Sequence, residues 1–156
     1  MRTRPLSTVL LAAAAAVVVT GLPAQAATGS LTDPRGDYPD IVKLAWNNGA
    51  STVKVTMTYA DIADAQNQSF YLRWGTAGHS YQVFVTSGYR ALRYDGTDVR
   101  CAGLGVTSRA DLDRTTVTVP RSCLPKAPGS LRFQGIATQG VGLVDETRVS
   151  PLTPRG

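Results

Sequence analysis

The 156-residue sequence predicts an all-β protein, a single-domain antiparallel β-sandwich, and three observations predict it. Apolar and polar residues alternate at period two in several short segments, turn-forming residues recur between them, and no long stretch holds a helical period. Short strands at such intervals favour two facing antiparallel sheets over a βαβ arrangement.

The clearest strand is Thr52 to Tyr59, where Val53, Val55, Met57 and Tyr59 share one side and Thr52, Lys54, Thr56 and Thr58 the other. Ile41 to Trp46 precedes it, with Val42, Leu44 and Trp46 on one face and Asn47-Asn48-Gly49 as the turn. Gln68 to Gly75 and Tyr81 to Thr86 form the next pair. With Gly75 set opposite Ser80, Trp74 faces Tyr81, Leu72 faces Val83 and Phe70 faces Val85, while Tyr71 lies beside Phe84 and Arg73 beside Gln82 on the other side. Further strands are expected at Tyr89 to Tyr94, Asp98 to Leu104, Thr115 to Val119, Ser130 to Thr138 and Gly142 to Val149, with Asp95-Gly96 among the turns. Tyr59 to Gln66 and Ser122 to Leu124 have room for one or two helical turns, too short to change the class. Pro151 to Gly156, with two prolines and a glycine, is expected to be a loose tail.

The first 26 residues read as a secretory signal peptide. Arg2 and Arg4 precede an apolar run from Val9 to Val19, and Ala24-Gln25-Ala26 supplies the small residues a signal peptidase cuts behind. The run is about eleven residues, whereas a bilayer span takes roughly 20, so no membrane span is expected in the mature form. The expectation is a secreted, extracellular, monomeric protein with one domain over residues 27–150.

Setting Arg2 and Arg4 aside leaves 14 Lys and Arg against 11 Asp and Glu, a net charge of about +3. The remaining arginines are scattered rather than clustered, which argues against a nucleic-acid partner. Cys101 and Cys123 are the two cysteines. In an oxidising compartment they are expected to pair, and their spacing offers no redox motif.

The densest acidic signal is Asp33-Pro34-Arg35-Gly36-Asp37-Tyr38-Pro39-Asp40. Asp33, Asp37 and Asp40 on a backbone bent by Gly and Pro suit a hard cation such as calcium, with Asp145 or Glu146 near the last strand as a fourth carboxylate. The competing reading is that these are ordinary turn-capping aspartates. Arg35-Gly36-Asp37 also spells the integrin-recognised tripeptide, but its place inside the acidic loop accounts for these residues better.

Asp-x-x-Gly-Asp followed by Asp40-Ile41, then a strand, a turn and a strand ending in Tyr59-Ala60-Asp61, resembles the opening of secreted β-sandwich domains of carbohydrate-binding module family 9 and the DOMON-like group. It is similar also to small exported actinobacterial proteins. The resemblance covers the first third of the mature chain, and implies a sandwich, structural calcium at the Asp positions and sugar binding.

Sugar recognition needs open aromatic faces with polar neighbours for the hydroxyls. Tyr71 and Phe84 with Arg73 and Gln82 are the candidates, whereas Trp46 and Trp74 fall in line with aliphatic neighbours and are expected in the core. His79, the only histidine, sits in a turn; no Ser lies in a Gly-x-Ser-x-Gly elbow, and Glu146 is the only Glu. Those features argue against an enzyme. The expectation is therefore a non-catalytic binding module for polysaccharide or another cell-envelope component, with an inhibitor-like partner-binding protein as the alternative and a small hydrolase third.

Overall fold

In the computed structural model, residues 27–34, 36, 38–75, 78–140 and 142–156 are described. The signal-peptide expectation, and those for Arg35 and Asp37, lie outside them. Among the described residues eleven strands form two antiparallel sheets of five and six strands, an all-β sandwich.

The chain begins with a meander, β1 (Ala27–Thr32), β2 (Ile41–Asn48) and β3 (Thr52–Tyr59). After a single 3-10 turn at Ile62–Asp64 it enters the second sheet as β4 (Asn67–Arg73), β5 (Ser80–Thr86), β6 (Arg90–Tyr94) and β7 (Thr97–Val99). It returns to the first sheet as β8 (Gly105–Arg109) and β9 (Arg114–Pro120), and ends in the second as β10 (Arg132–Gln139) and β11 (Leu143–Glu146). The sheet orders are β1-β2-β3-β9-β8 and β11-β10-β4-β5-β6-β7. β9 thus lies beside β3 and β10 beside β4, the two strands between which the chain first crossed over.

Alternation decides the faces. Leu44, Val55, Met57, Phe70, Val83 and Phe133 are among the fully buried side chains between the sheets. Trp46 is buried as expected, stacked on Phe133 at 5.4 Å between centroids, and its Nε1 donates to Thr153 Oγ1 at 3.0 Å. That indole explains Gly29 opposite it on β1: a Cβ there would overlap the Trp46 ring. Trp74 is only half-buried, packed on the margin of the core at the β4–β5 hairpin.

Four sequence expectations need correction. β1 was not foreseen. The strand expected over Asp98 to Leu104 is two strands in different sheets, β7 and β8, with residues 100–104 crossing between them. The strand expected to run to Val149 is regular only to Glu146, after which Thr147 N and Ser150 N still donate to Gly135 O and Phe133 O. Residues 151–156 are not loose: Thr153 pairs with Leu131, its carbonyl accepts from Asn48 Nδ2 at 2.8 Å, and Gly156 N donates to Asn48 O at 2.9 Å. Asn48 is wholly buried and needs those partners, which is why the segment is ordered despite its prolines.

The Asp95-Gly96 turn has φ of 45° and 84°, and Tyr94 pairs with Thr97 across it, the two-residue hairpin that favours such a dipeptide. Cys101 and Cys123 form the expected disulfide, with Cα atoms 5.3 Å apart. One cysteine follows β7 and the other follows β9, so the bond ties the two sheets together.

Candidate functional site

The β4–β5 ladder sets the candidate surface. Tyr71 pairs with Gln82, Arg73 with Ser80 and Ser69 with Phe84, two residues out of step with the register expected from sequence. A shift of two leaves every side chain on its own face. Tyr71, Arg73, Gln82 and Phe84 therefore all stand on the outer face of the six-stranded sheet, turned away from the other sheet, and all are half-buried. The predicted set is brought together, but Tyr71 and Phe84 are diagonal neighbours rather than a facing pair.

Each ring carries a guanidinium. Arg73 lies over Tyr71, 4.7 Å from its centroid, and Arg93 lies over Phe84 at 4.9 Å. Arg93 Nε donates to Asp98 Oδ1 at 2.8 Å, and Tyr89 Oη donates to Asp98 Oδ2 at 3.1 Å. The Arg93 hydrogen bond, then that of Tyr89, hold the Asp98 carboxyl below its usual range. Gln82 Nε2 donates to Ser69 Oγ at 2.9 Å. On β10, the exposed Arg132 stands opposite Arg73 and extends the face, whereas Gln134 opposite Tyr71 is buried. The surface offers aromatic area, an amide and several cations, a composition suited to a polar ligand with apolar faces.

Asp33, Asp40 and Asp145 are the described members of the acidic set. Asp145 is buried at 2% exposure on β11, and its Oδ2 accepts from Ile41 N at 2.6 Å. The carboxylate thereby joins the last strand of one sheet to the start of β2 in the other. Asp33 and Asp40 are half-buried at the ends of the loop. Among the described residues no group of three or more His, Cys, Asp or Glu side chains is placed to hold a metal, and Asp37 lies outside them. Beside the loop, a cavity of about 660 Å³ is lined by residues including Asp33, Pro34, Gln134, Glu146 and Arg148. Gln134 Nε2 donates to Thr147 O at 3.1 Å, while its Oε1 is buried without a partner.

Sequence reasoning missed a second aromatic group, at the β4–β5 hairpin. Trp74, Tyr81, Tyr94 and His79 have ring centroids 5.1 to 6.4 Å apart, and Lys126 Nζ sits 4.3 Å from the Tyr94 centroid. His79 is not an idle turn residue: its Nδ1 is 2.8 Å from Asp95 Oδ2. Asp95 also accepts from Ser80 N at 3.0 Å, and that bond, followed by the His79 contact, lowers its carboxyl. The signal in the sequence was the Asp-Gly turn facing His79 across the hairpins, visible only once both turns are placed. Among the described residues no helix is long and apolar enough to cross a membrane. No protein-family model matches the sequence, and no curated protein matches it at a significant level.

Proposed function

We propose that the protein is a secreted, monomeric, non-catalytic binding module whose outer sheet face takes an extracellular polysaccharide. The observation that carries the reading is the placement of the half-buried Tyr71 and Phe84 on a face the second sheet does not cover, flanked by Gln82 and Arg73. Ring faces on a sheet are rigid platforms for the apolar faces of pyranoses, and the arginine and amide groups beside them serve the hydroxyls. The disulfide fits an oxidising, extracellular setting. The resemblance of the Asp33 to Asp61 region to carbohydrate-binding sandwiches points the same way.

Pull-down on a panel of insoluble polysaccharides tests it. Wild type is expected to be retained on at least one, and Tyr71→Ala and Phe84→Ala to weaken retention by about tenfold each, as loss of an aromatic contact implies. Retention on none of them, or retention unchanged in both variants, would sink the reading and favour a protein partner instead.

Calcium belongs to the same proposal, at the loop end where Asp145 reaches the residue after Asp40. Millimolar Ca²⁺ is expected to raise the melting temperature relative to chelator, since a ligand that binds only the folded state stabilises it by mass action. Equal melts in the two conditions would remove the cation.

A further inference from the structure

We infer that the ligand of the outer face is an acidic glycan, held through its oxyanions by Arg73 and Arg132. This rests on the polysaccharide reading and adds the ligand's charge to it. The two arginines stand directly opposite each other on β4 and β10. Like charges in that relation repel, and a sheet that keeps such a pair normally neutralises it.

Here no acid among the described residues forms an ion pair with either arginine. The ion pairs among the described residues join His79 to Asp95, Arg93 to Asp98 and Arg109 to Asp111, and none includes Arg73 or Arg132. Arg73 Nε is buried without an acceptor, and its guanidinium carbon lies 4.7 Å from the Tyr71 ring centroid. Arg132 has a carbonyl, Ser150 O, 3.3 Å from Nη1, which offers no countercharge. Neither arginine has a countercharge of its own, so the missing partner is an anion at this part of the sheet. Carboxylate, sulfate and phosphate each present two oxygens that a guanidinium can bind in a pair of hydrogen bonds. Arg93 is different, since Asp98 already neutralises it.

Titration calorimetry with the intact disulfide-bonded domain, using polygalacturonate, dextran sulfate, neutral dextran and soluble cello-oligosaccharides, tests the inference. Polygalacturonate, dextran sulfate or both are expected to bind, with affinity falling as salt rises, and the neutral glycans at least tenfold more weakly. Binding of polygalacturonate alone assigns a carboxylate, and of dextran sulfate alone a sulfate- or phosphate-type anion. Arg73→Gln and Arg132→Gln should each cost about tenfold, whereas Arg114→Gln, the same charge change on the other sheet, should cost nothing. Arg132→Lys, which keeps the charge and loses the fork, should fall between them and guards against a folding defect.

Neutral glycans binding as tightly as charged ones would overturn the inference and leave the polysaccharide reading standing. An equal loss in Arg114→Gln would reduce the effect to unspecific basicity and overturn it too. No binding to any glycan would end both.

Discussion

Replacing Trp46 with alanine is expected to lower the unfolding free energy by about 3–5 kcal/mol, the usual cost of deleting a buried aromatic ring. The indole fills the space between the sheets at one edge: it stacks on Phe133, lies against Gly29 of β1 and donates to Thr153 Oγ1. Its loss leaves a cavity that glycine at position 29 cannot fill. In urea unfolding the midpoint should fall with little change in slope. Trp46→Phe keeps a ring on Phe133 and gives up the hydrogen bond, so it should cost on the order of 1–2 kcal/mol. An alanine variant within about 1 kcal/mol of wild type would mean that the ring is not part of the core.

Removing the disulfide ranks next. The bond spans 22 residues in sequence. By the chain-entropy relation, closing that loop is worth roughly 3 kcal/mol, against about 5–15 kcal/mol for a whole small domain. Cys101→Ser combined with Cys123→Ser should lose that amount in denaturant, and reductant should bring wild type to the same midpoint. A double variant as stable as the oxidised protein would show that the cross-link constrains nothing in the unfolded chain. The effect should concentrate where β7 leaves one sheet and β8 enters the other, because that crossing runs through Cys101 to Leu104.

Strands with strong alternation were legible in the sequence, and weak ones were not. Thr52 to Tyr59 has a clean apolar side, and the observed strand has those limits. β1, with Gly29 and Leu31 among polar residues, carries too little apolar signal; only Trp46, distant in sequence, explains its glycine. β8 reads Gly-Val-Thr-Ser-Arg and pairs on one side alone, so its period is equally faint. The β4–β5 register was misjudged by two because the turn was taken as shorter than it is, yet parity kept Tyr71 and Phe84 on the predicted face. What sequence could not supply was cross-strand company: Arg132 beside Arg73, and Asp95 beside His79, come from hairpins that only folding brings together.

The clasp that Asn48 and Trp46 make with residue 153 also sets a timetable. The Trp46 hydrogen bond joins residues 107 apart, so the first sheet is complete only once the last residues of the chain have docked on it. Such distant pairings are slow to find, with folding in milliseconds to seconds typical of sandwiches. Until that late segment arrives, the nascent sheet keeps an apolar flank open to chaperones and proteases alike.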